Sequence, residues 1–314
     1  MFEGGGGLLK SGAQVLVQGI TGREASFWTE KMKEYGTAVV AGVTPGKGGQ
    51  TVQGVPVYES VQDATRRHRI DASVLFVPPM AVKSAALEAM RAGVKAMVVL
   101  AEHVPIQDVI EVVTEARDLG VQIVGPNCPG IVVPGSHFLG IMPAWAKNIF
   151  QAGSLGVVSR SGSLGTLVCL NLVRAGLGES VFFGIGGDPI LGTTFVDTLE
   201  WFEADPGTRA VVLVGEIGGR MEEEAAGFIA KMTKPVIAFI GGQSAPEGKR
   251  MGHAGAIVSG GKGSAREKMD ALQRAGAHVA AIPSQVSEIA SQVISTPAEN
   301  RTAGSFPARG RGES

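Results

Sequence analysis

The sequence predicts an α/β fold made of two successive parallel-sheet units. Three observations predict it. Short Val- and Ile-rich runs alternate with segments of helical periodicity. The runs are apolar almost throughout, as strands covered on both faces are. Glycine-rich loops follow the runs, and Gly makes up 46 of the 314 residues, about twice the roughly 7% of an average protein.

The elements follow in order. The first unit has strands expected over 14–17, 39–43, 73–77, 96–100 and 121–124. Helical patterns over 26–35, 61–67, 81–92 and 106–119 lie between them. The alternation stops at Pro126-Asn127-Cys128-Pro129-Gly130, and Pro129, Pro134 and Pro143 mark a linker over 131–152. A second unit begins near 153, with strands over 154–158, 180–184, 210–214, 236–240 and 278–282. Its helices are expected over 162–175, 192–204, 221–231 and 264–275. The domains therefore read as 11–130 and 153–296, after a flexible start over 1–10. Residues 297–314 are Arg-, Gly- and Ser-rich without periodicity, and a disordered tail is expected.

Composition excludes several classes. Hydrophobic residues are 44% and charged residues 18%, against disorder for the bulk of the chain. The 28 basic and 29 acidic residues leave a net charge of −1, which makes no case for nucleic acid or an anionic membrane. Cys128 and Cys169 are too few for a disulfide framework. The chain has no run of 18 apolar residues and its start lacks a signal-peptide pattern, so a soluble cytoplasmic protein is expected.

Gly19-Ile20-Thr21-Gly22 follows the first strand and precedes a helix. A doubly wound fold places its phosphate loop there, and small residues let the backbone approach an anion at a helix start. A plain tight turn would read the same way. A nicotinamide dinucleotide needs an acidic residue after the second strand. That strand ends Val40-Ala41-Gly42-Val43 instead, which opposes an oxidoreductase. Thr44-Pro45-Gly46-Lys47-Gly48-Gly49 comes next and offers an ammonium among flexible backbone. It is a phosphate contact or a solvated lysine. Val77-Pro78-Pro79 and Leu100-Ala101-Glu102-His103 complete the rim of strand ends.

In the second unit, His253 stands in Gly248-Lys249-Arg250-Met251-Gly252-His253-Ala254-Gly255-Ala256. Small neighbours leave its ring accessible. No zinc spacing surrounds it, so no metal is expected. A nucleophilic or proton-carrying role and a structural loop role are both open. Ser159-Arg160-Ser161-Gly162-Ser163 ends a strand and opens a helix, so Ser161, Gly162 and Ser163 form a candidate anion cradle. Val214-Gly215-Glu216-Ile217-Gly218-Gly219 puts a carboxylate after an apolar strand, where it can orient an imidazole. Gly184-Ile185-Gly186-Gly187-Asp188-Pro189 is a further glycine-rich strand end.

Six motifs, over 42–49, 125–130, 159–162, 184–189, 215–219 and 248–256 in chain order, resemble those of the α subunits of succinyl-CoA synthetase and the related NDP-forming acyl-CoA ligases, and the resemblance runs over residues 11–293. The resemblance implies a Rossmann-like domain that binds coenzyme A, followed by a flavodoxin-like ligase domain. It puts Thr21, Gly22, Arg23, Glu24, Lys47, Leu100, Ala101 and Glu102 at the CoA site. Val77, Pro78, Asn127 and Cys128 are assigned to the same site, with Cys128 packing beside it rather than reacting. It makes His253 the phosphorylated histidine and Glu216 its carboxylate. ATP or GTP and Mg²⁺ are expected on an ATP-grasp β subunit, in an αβ or α2β2 assembly. The implied reaction joins a small carboxylic acid to CoA through a phosphohistidine and an acyl phosphate. Thr166 stands where succinate enzymes carry Tyr, and Arg23-Glu24 replaces Ser-Gln, so the acid need not be succinate. The alternative is a CoA-binding regulatory protein without ligase turnover.

Overall fold

A computed structural model describes residues 8–245, 248, 251–253, 255–258 and 263–295. The expected flexible start lies largely outside the described residues, as does the whole expected tail.

The first unit runs β1 (Gln14–Gln18), α1 (Arg23–Tyr35), β2 (Ala38–Val43), β3 (Thr51–Val52), β4 (Val55–Tyr58), α2 (Val61–Thr65), β5 (Ala72–Leu75), α3 (Val82–Arg91), β6 (Ala96–Val99), α4 (Ile106–Asp118) and β7 (Gln122–Val124). Its sheet order is β3-β4-β2-β1-β5-β6-β7. Without the antiparallel β3, this is the doubly wound order 3-2-1-4-5-6. The order reverses between β1 and β5, which opens a crevice beyond their C-terminal ends. β5 and β6 are buried along their whole length, as their apolar runs predict.

The second unit holds β8 (Gly130–Val133), β9 (His137–Gly140), β10 (Ala152–Ser159), α5 (Gly162–Arg174), β11 (Glu179–Gly184), α6 (Phe195–Ala204), β12 (Ala210–Glu216), α7 (Met221–Ile229), β13 (Val236–Gly241), α8 (Ala265–Arg274), β14 (His278–Ala280) and α9 (Gln285–Ser295). The sheet order is β14-β13-β12-β10-β11-β8-β9. Its parallel strands, read from β11, follow the flavodoxin-like order 2-1-3-4-5. Every residue of β12 and β13 is buried.

The expected linker requires a correction. Residues 130–140 form the hairpin β8–β9, which joins the second sheet antiparallel to β11. Ile131, Val132, Phe138 and Leu139 are fully or almost fully buried there, and this burial holds a proline-flanked segment in a sheet. Thr37, at the end of α1, donates from Oγ1 to Phe138 O at 2.7 Å, so the hairpin also packs on the first unit. Three further elements were not expected: β3, β4 and α9. The sixth helix begins at Phe195 rather than 192, because Thr194 and Asp197 form a reciprocal capping box.

Candidate active site

The first cleft lies at the β1/β5 switch point and encloses about 440 Å³. Gly22, Arg23 and Glu24 form one wall, Val77 another, and Leu100 and Ala101 a third. Six of the residues expected at the CoA site are thereby brought together. Gly19 explains the tightness of the turn: its φ is +80°, and a Cβ would lie 2.2 Å from Phe76 O. Thr21 bonds Thr44 instead, through its hydroxyl at 3.2 Å. Gly22 caps α1 without a side-chain acceptor, so amides of the first turn face the cleft mouth.

Other expected residues surround this cleft without lining it. Lys47 is exposed on a loop that Glu59 pins by accepting from the amides of Gly46 and Gly48 at 2.6 and 2.7 Å. Glu102 is exposed, beside His103. Pro78 precedes a single turn of 3₁₀ helix. Asn127 donates its backbone N–H to Ala101 O at 2.9 Å. Cys128 is buried beneath, its thiol donating to Val99 O at 3.2 Å, and burial pushes that thiol up to about 12.

The second constellation is built at the C-terminal edge of three neighbouring strands. Ser159 of β10 pairs with both Gly184 of β11 and Val214 of β12. The following residues therefore emerge side by side: Arg160 and Ser161, then Ile185 to Asp188, then Gly215 and Glu216. Glu216 is buried and meets His253 Nδ1 with both oxygens, at 2.8 and 3.0 Å. The Glu216 contact raises the His253 imidazole above its ordinary value, while burial and Arg160 pull the other way. The His253 loop is fastened by Gly255 N–H donating to Gly187 O at 3.3 Å.

Ser161 caps α5, its Oγ accepting from Leu164 N–H at 3.3 Å. Helix geometry leaves the amides of Gly162 and Ser163 without partners inside the helix, which favours an anion. Thr166 lies one turn further, and its hydroxyl is used by Gly162 O at 2.7 Å.

Sequence reasoning gave no role to four charged residues behind this site. Arg160 is 1% exposed and reaches both Glu216 and Glu222. Glu222 and Lys268 are fully buried and paired. Asp188 is buried beside Asn127, and burial holds its carboxyl above the usual range. An arginine directly after an apolar strand was the available signal for Arg160. Nothing local marks Lys268, which looks like any helix-surface lysine.

Comparison with known proteins agrees with this division. Residues 11–103 match the model of the CoA binding domain, and residues 158–278 match the model of the CoA-ligase domain. The fold and these domains define the class: a two-domain CoA ligase subunit. The chain belongs, more particularly, to the succinate–CoA ligase α-subunit family. The ADP-forming succinate–CoA ligase subunit alpha 2 of Archaeoglobus fulgidus is 51% identical over 281 residues, covering 90% of this chain and 97% of that one. An ADP-forming sulfoacetate-CoA ligase subunit of an Acholeplasma species is 48% identical over 278 residues, covering 88% and 94%. The solved ATP citrate lyase of Methanothrix soehngenii, in complex with citrate and coenzyme A, shares the fold with a TM-score of 0.77 at 22% identity. It covers 95% of this chain, which spans 53% of the lyase chain. Among the described residues, no helix is long and apolar enough to cross a membrane.

Proposed function

We propose that His253 carries the phosphoryl group of an ATP-dependent acid–CoA ligase. The observation that carries this reading is the grip of Glu216 on Nδ1. A carboxylate there holds the ring proton on Nδ1 and leaves the Nε2 lone pair as nucleophile. Glu216 holds the ring above its ordinary value of about 6.5, so the neutral, nucleophilic form gains as pH rises.

Three transfers follow. His253 Nε2 forms a bond to the γ-phosphorus of ATP, and ADP leaves. A carboxylate oxygen of the acid then takes the phosphoryl group, which restores the imidazole and yields an acyl phosphate. The CoA thiolate attacks that carbonyl, and phosphate departs. Glu216 stabilises positive charge on the ring during the first transfer. The N-terminus of α5, with Ser161, Gly162 and Ser163, is the cradle for the phosphoryl oxygens. CoA lies in the cleft walled by Arg23, Val77 and Ala101, with Lys47 on a nearby loop for a phosphate.

ATP and Mg²⁺ are held by an ATP-grasp β subunit, in an αβ or α2β2 complex in the cytoplasm. The ADP-forming relatives support ATP over GTP. Both succinate and sulfoacetate, named for those relatives, carry a second anionic group. The acid proposed here is therefore short and doubly anionic, a dicarboxylate or a sulfonated acid. Thr166 lies near its site and leaves room where succinate enzymes carry Tyr. Nothing in the comparisons favours a regulatory protein without turnover.

The test is γ-labelled ATP added to the chain with its co-purified partner. Acid-labile, alkali-stable label on His253, discharged by CoA plus one acid of a panel, is expected. An unlabelled chain in an intact complex would overturn the reading.

A further inference from the structure

Behind Glu216 stands a buried chain of charges that the three transfers do not use. Arg160 Nη2 lies 3.3 Å from Glu216 Oε1, the oxygen that also faces His253. Arg160 Nη1 lies 3.4 Å from Glu222 Oε1 and donates to Gly218 O at 3.2 Å. Lys268 pairs with the other oxygen of Glu222 and donates to the same Gly218 carbonyl at 2.8 Å. Glu222 Oε1 also accepts the backbone N–H of Glu216, at 3.1 Å. The strand end carrying Glu216 is thus tied both by its backbone and by its carboxylate.

Such a cluster is poor value as a stabilising device. Buried ion pairs roughly break even against apolar packing, because each ion loses several kcal/mol of hydration. Arg160 Nε is moreover buried without a hydrogen-bond partner among the described residues, a further cost. The guanidinium also abuts the histidine loop, since a Cβ on Gly255 would lie 3.0 Å from Nη2. Its position is explained by what it does to Glu216.

We propose that Arg160 is a positioning residue for His253, acting through Glu216, with Glu222 and Lys268 holding the guanidinium in place. Arg160 fixes the plane of the carboxylate, so that Glu216 meets Nδ1 and leaves Nε2 pointing outward. It also offsets the charge of Glu216. Without it, the carboxylate would hold an extra proton on the ring, and a doubly protonated imidazole is no nucleophile. The inference rests on the phosphohistidine reading above.

Among the described residues, four charged groups face His253. Glu216 comes from the end of β12, Arg160 from the end of β10, Glu102 from the loop after β6 and Asp188 from the loop after β11. Glu102 and Glu216 favour the charged ring, and Arg160 opposes it. Removing Arg160 therefore raises the pH at which His253 becomes neutral. Removing the charge of Glu222 lowers it, by leaving the Arg160 charge to Glu216 alone.

The experiment measures the rate of His253 phosphorylation by ATP against pH, in the complex with the partner. Arg160→Gln should move the acid limb up by about one pH unit, a loss of about tenfold on that limb that is recovered at higher pH. Arg160→Lys keeps the charge and should return the limb to its wild-type place. Glu222→Gln should move the limb the other way. Opposite shifts from two substitutions in one cluster do not arise from general damage. Equal slowing at every pH, with the limb unmoved in both variants, would overturn the proposal. Should Arg160→Gln fail to fold, the direction given by Glu222→Gln still decides. A wild-type complex that takes no label would instead refute the phosphohistidine itself.

Discussion

Asn127 donates from Nδ2 to Asp188 Oδ1 at 2.9 Å, which ties the loop after the first sheet to the loop beside His253. The same residue reaches both ways along its backbone. Its N–H donates to Ala101 O on the rim of the first cleft, and its carbonyl accepts from Gly187 N–H at 3.3 Å. The cleft and the histidine loop are therefore joined through one residue, held at φ +52°. Left-handed backbone suits Asn and Gly and costs other residues about 1 kcal/mol or more. Asn127→Ala loses the amide and keeps the strain, so a cost of about 2–4 kcal/mol is expected. Asn127→Gly loses only the amide and should fall between Ala and wild type. Urea unfolding midpoints of the three proteins check the order, and a Gly variant as weak as Ala would remove the backbone contribution.

Gly187 sets how close the second sheet approaches the imidazole. A Cβ there would lie 2.3 Å from His253 Cγ. The backbone of Gly187 is not left-handed, so alanine is tolerated locally and acts only by pushing the ring. A displacement of about 1 Å costs roughly 100-fold in a positioned reaction. Gly187→Ala should therefore slow the proposed phosphorylation of His253 by about that factor, with CoA affinity kept within about twofold. Calorimetric titration with CoA and the labelling rate separate the two effects. Loss of CoA binding in step with labelling would show that the loop is coupled to the cleft as a whole.

Cys128 is the other residue whose chemistry the fold decides. Its thiol is buried and bonded to Val99 O, and burial pushes it up to about 12. Only the thiolate reacts, so at pH near 8 its alkylation should be slower than in the unfolded chain by about 1,000-fold or more. Burial likewise pushes Cys169 up. Mass spectrometry after iodoacetamide, in native buffer and in denaturant, measures this directly. Rapid modification of native Cys128 would show that the loop over it opens.

Much of this arrangement is legible in the sequence because parallel strands must be apolar throughout. The runs over 14–17, 39–43, 154–158 and 210–214 announce themselves, and the loops after them carry the site. The hairpin over 130–140 reads as a linker from sequence for a physical reason: four-residue strands flanked by proline carry no periodicity of their own. Their burial comes from pairing with β11 and packing on α1, both distant in sequence. α9 was missed because helical periodicity over 285–295 follows a short strand with only a brief turn between. Arg160 and Lys268 were silent for the opposite reason. A buried charge looks like a surface charge until its partners, 46 to 62 residues away, are brought beside it.

Glu179 gives the clearest dependence of stability on pH. It is 1% exposed at the start of β11, and burial raises its carboxyl from 4.5 to about 7, against a donation from Gln151 N–H at 3.1 Å. The folded state thus binds this proton more tightly than the unfolded state does. Between 4.5 and about 7, folding takes up the proton, and stability falls as pH rises across that window. Above it the full penalty applies, about 3 kcal/mol. Glu179→Gln never ionises and keeps an oxygen for Gln151. The variant should be more stable than wild type by about 2–3 kcal/mol at pH 8, and the two should converge below the ordinary carboxylate range. Urea unfolding at several pH values measures the gap. A gap that does not change with pH would mean that Glu179 binds its proton equally well folded and unfolded, and that burial does not raise it.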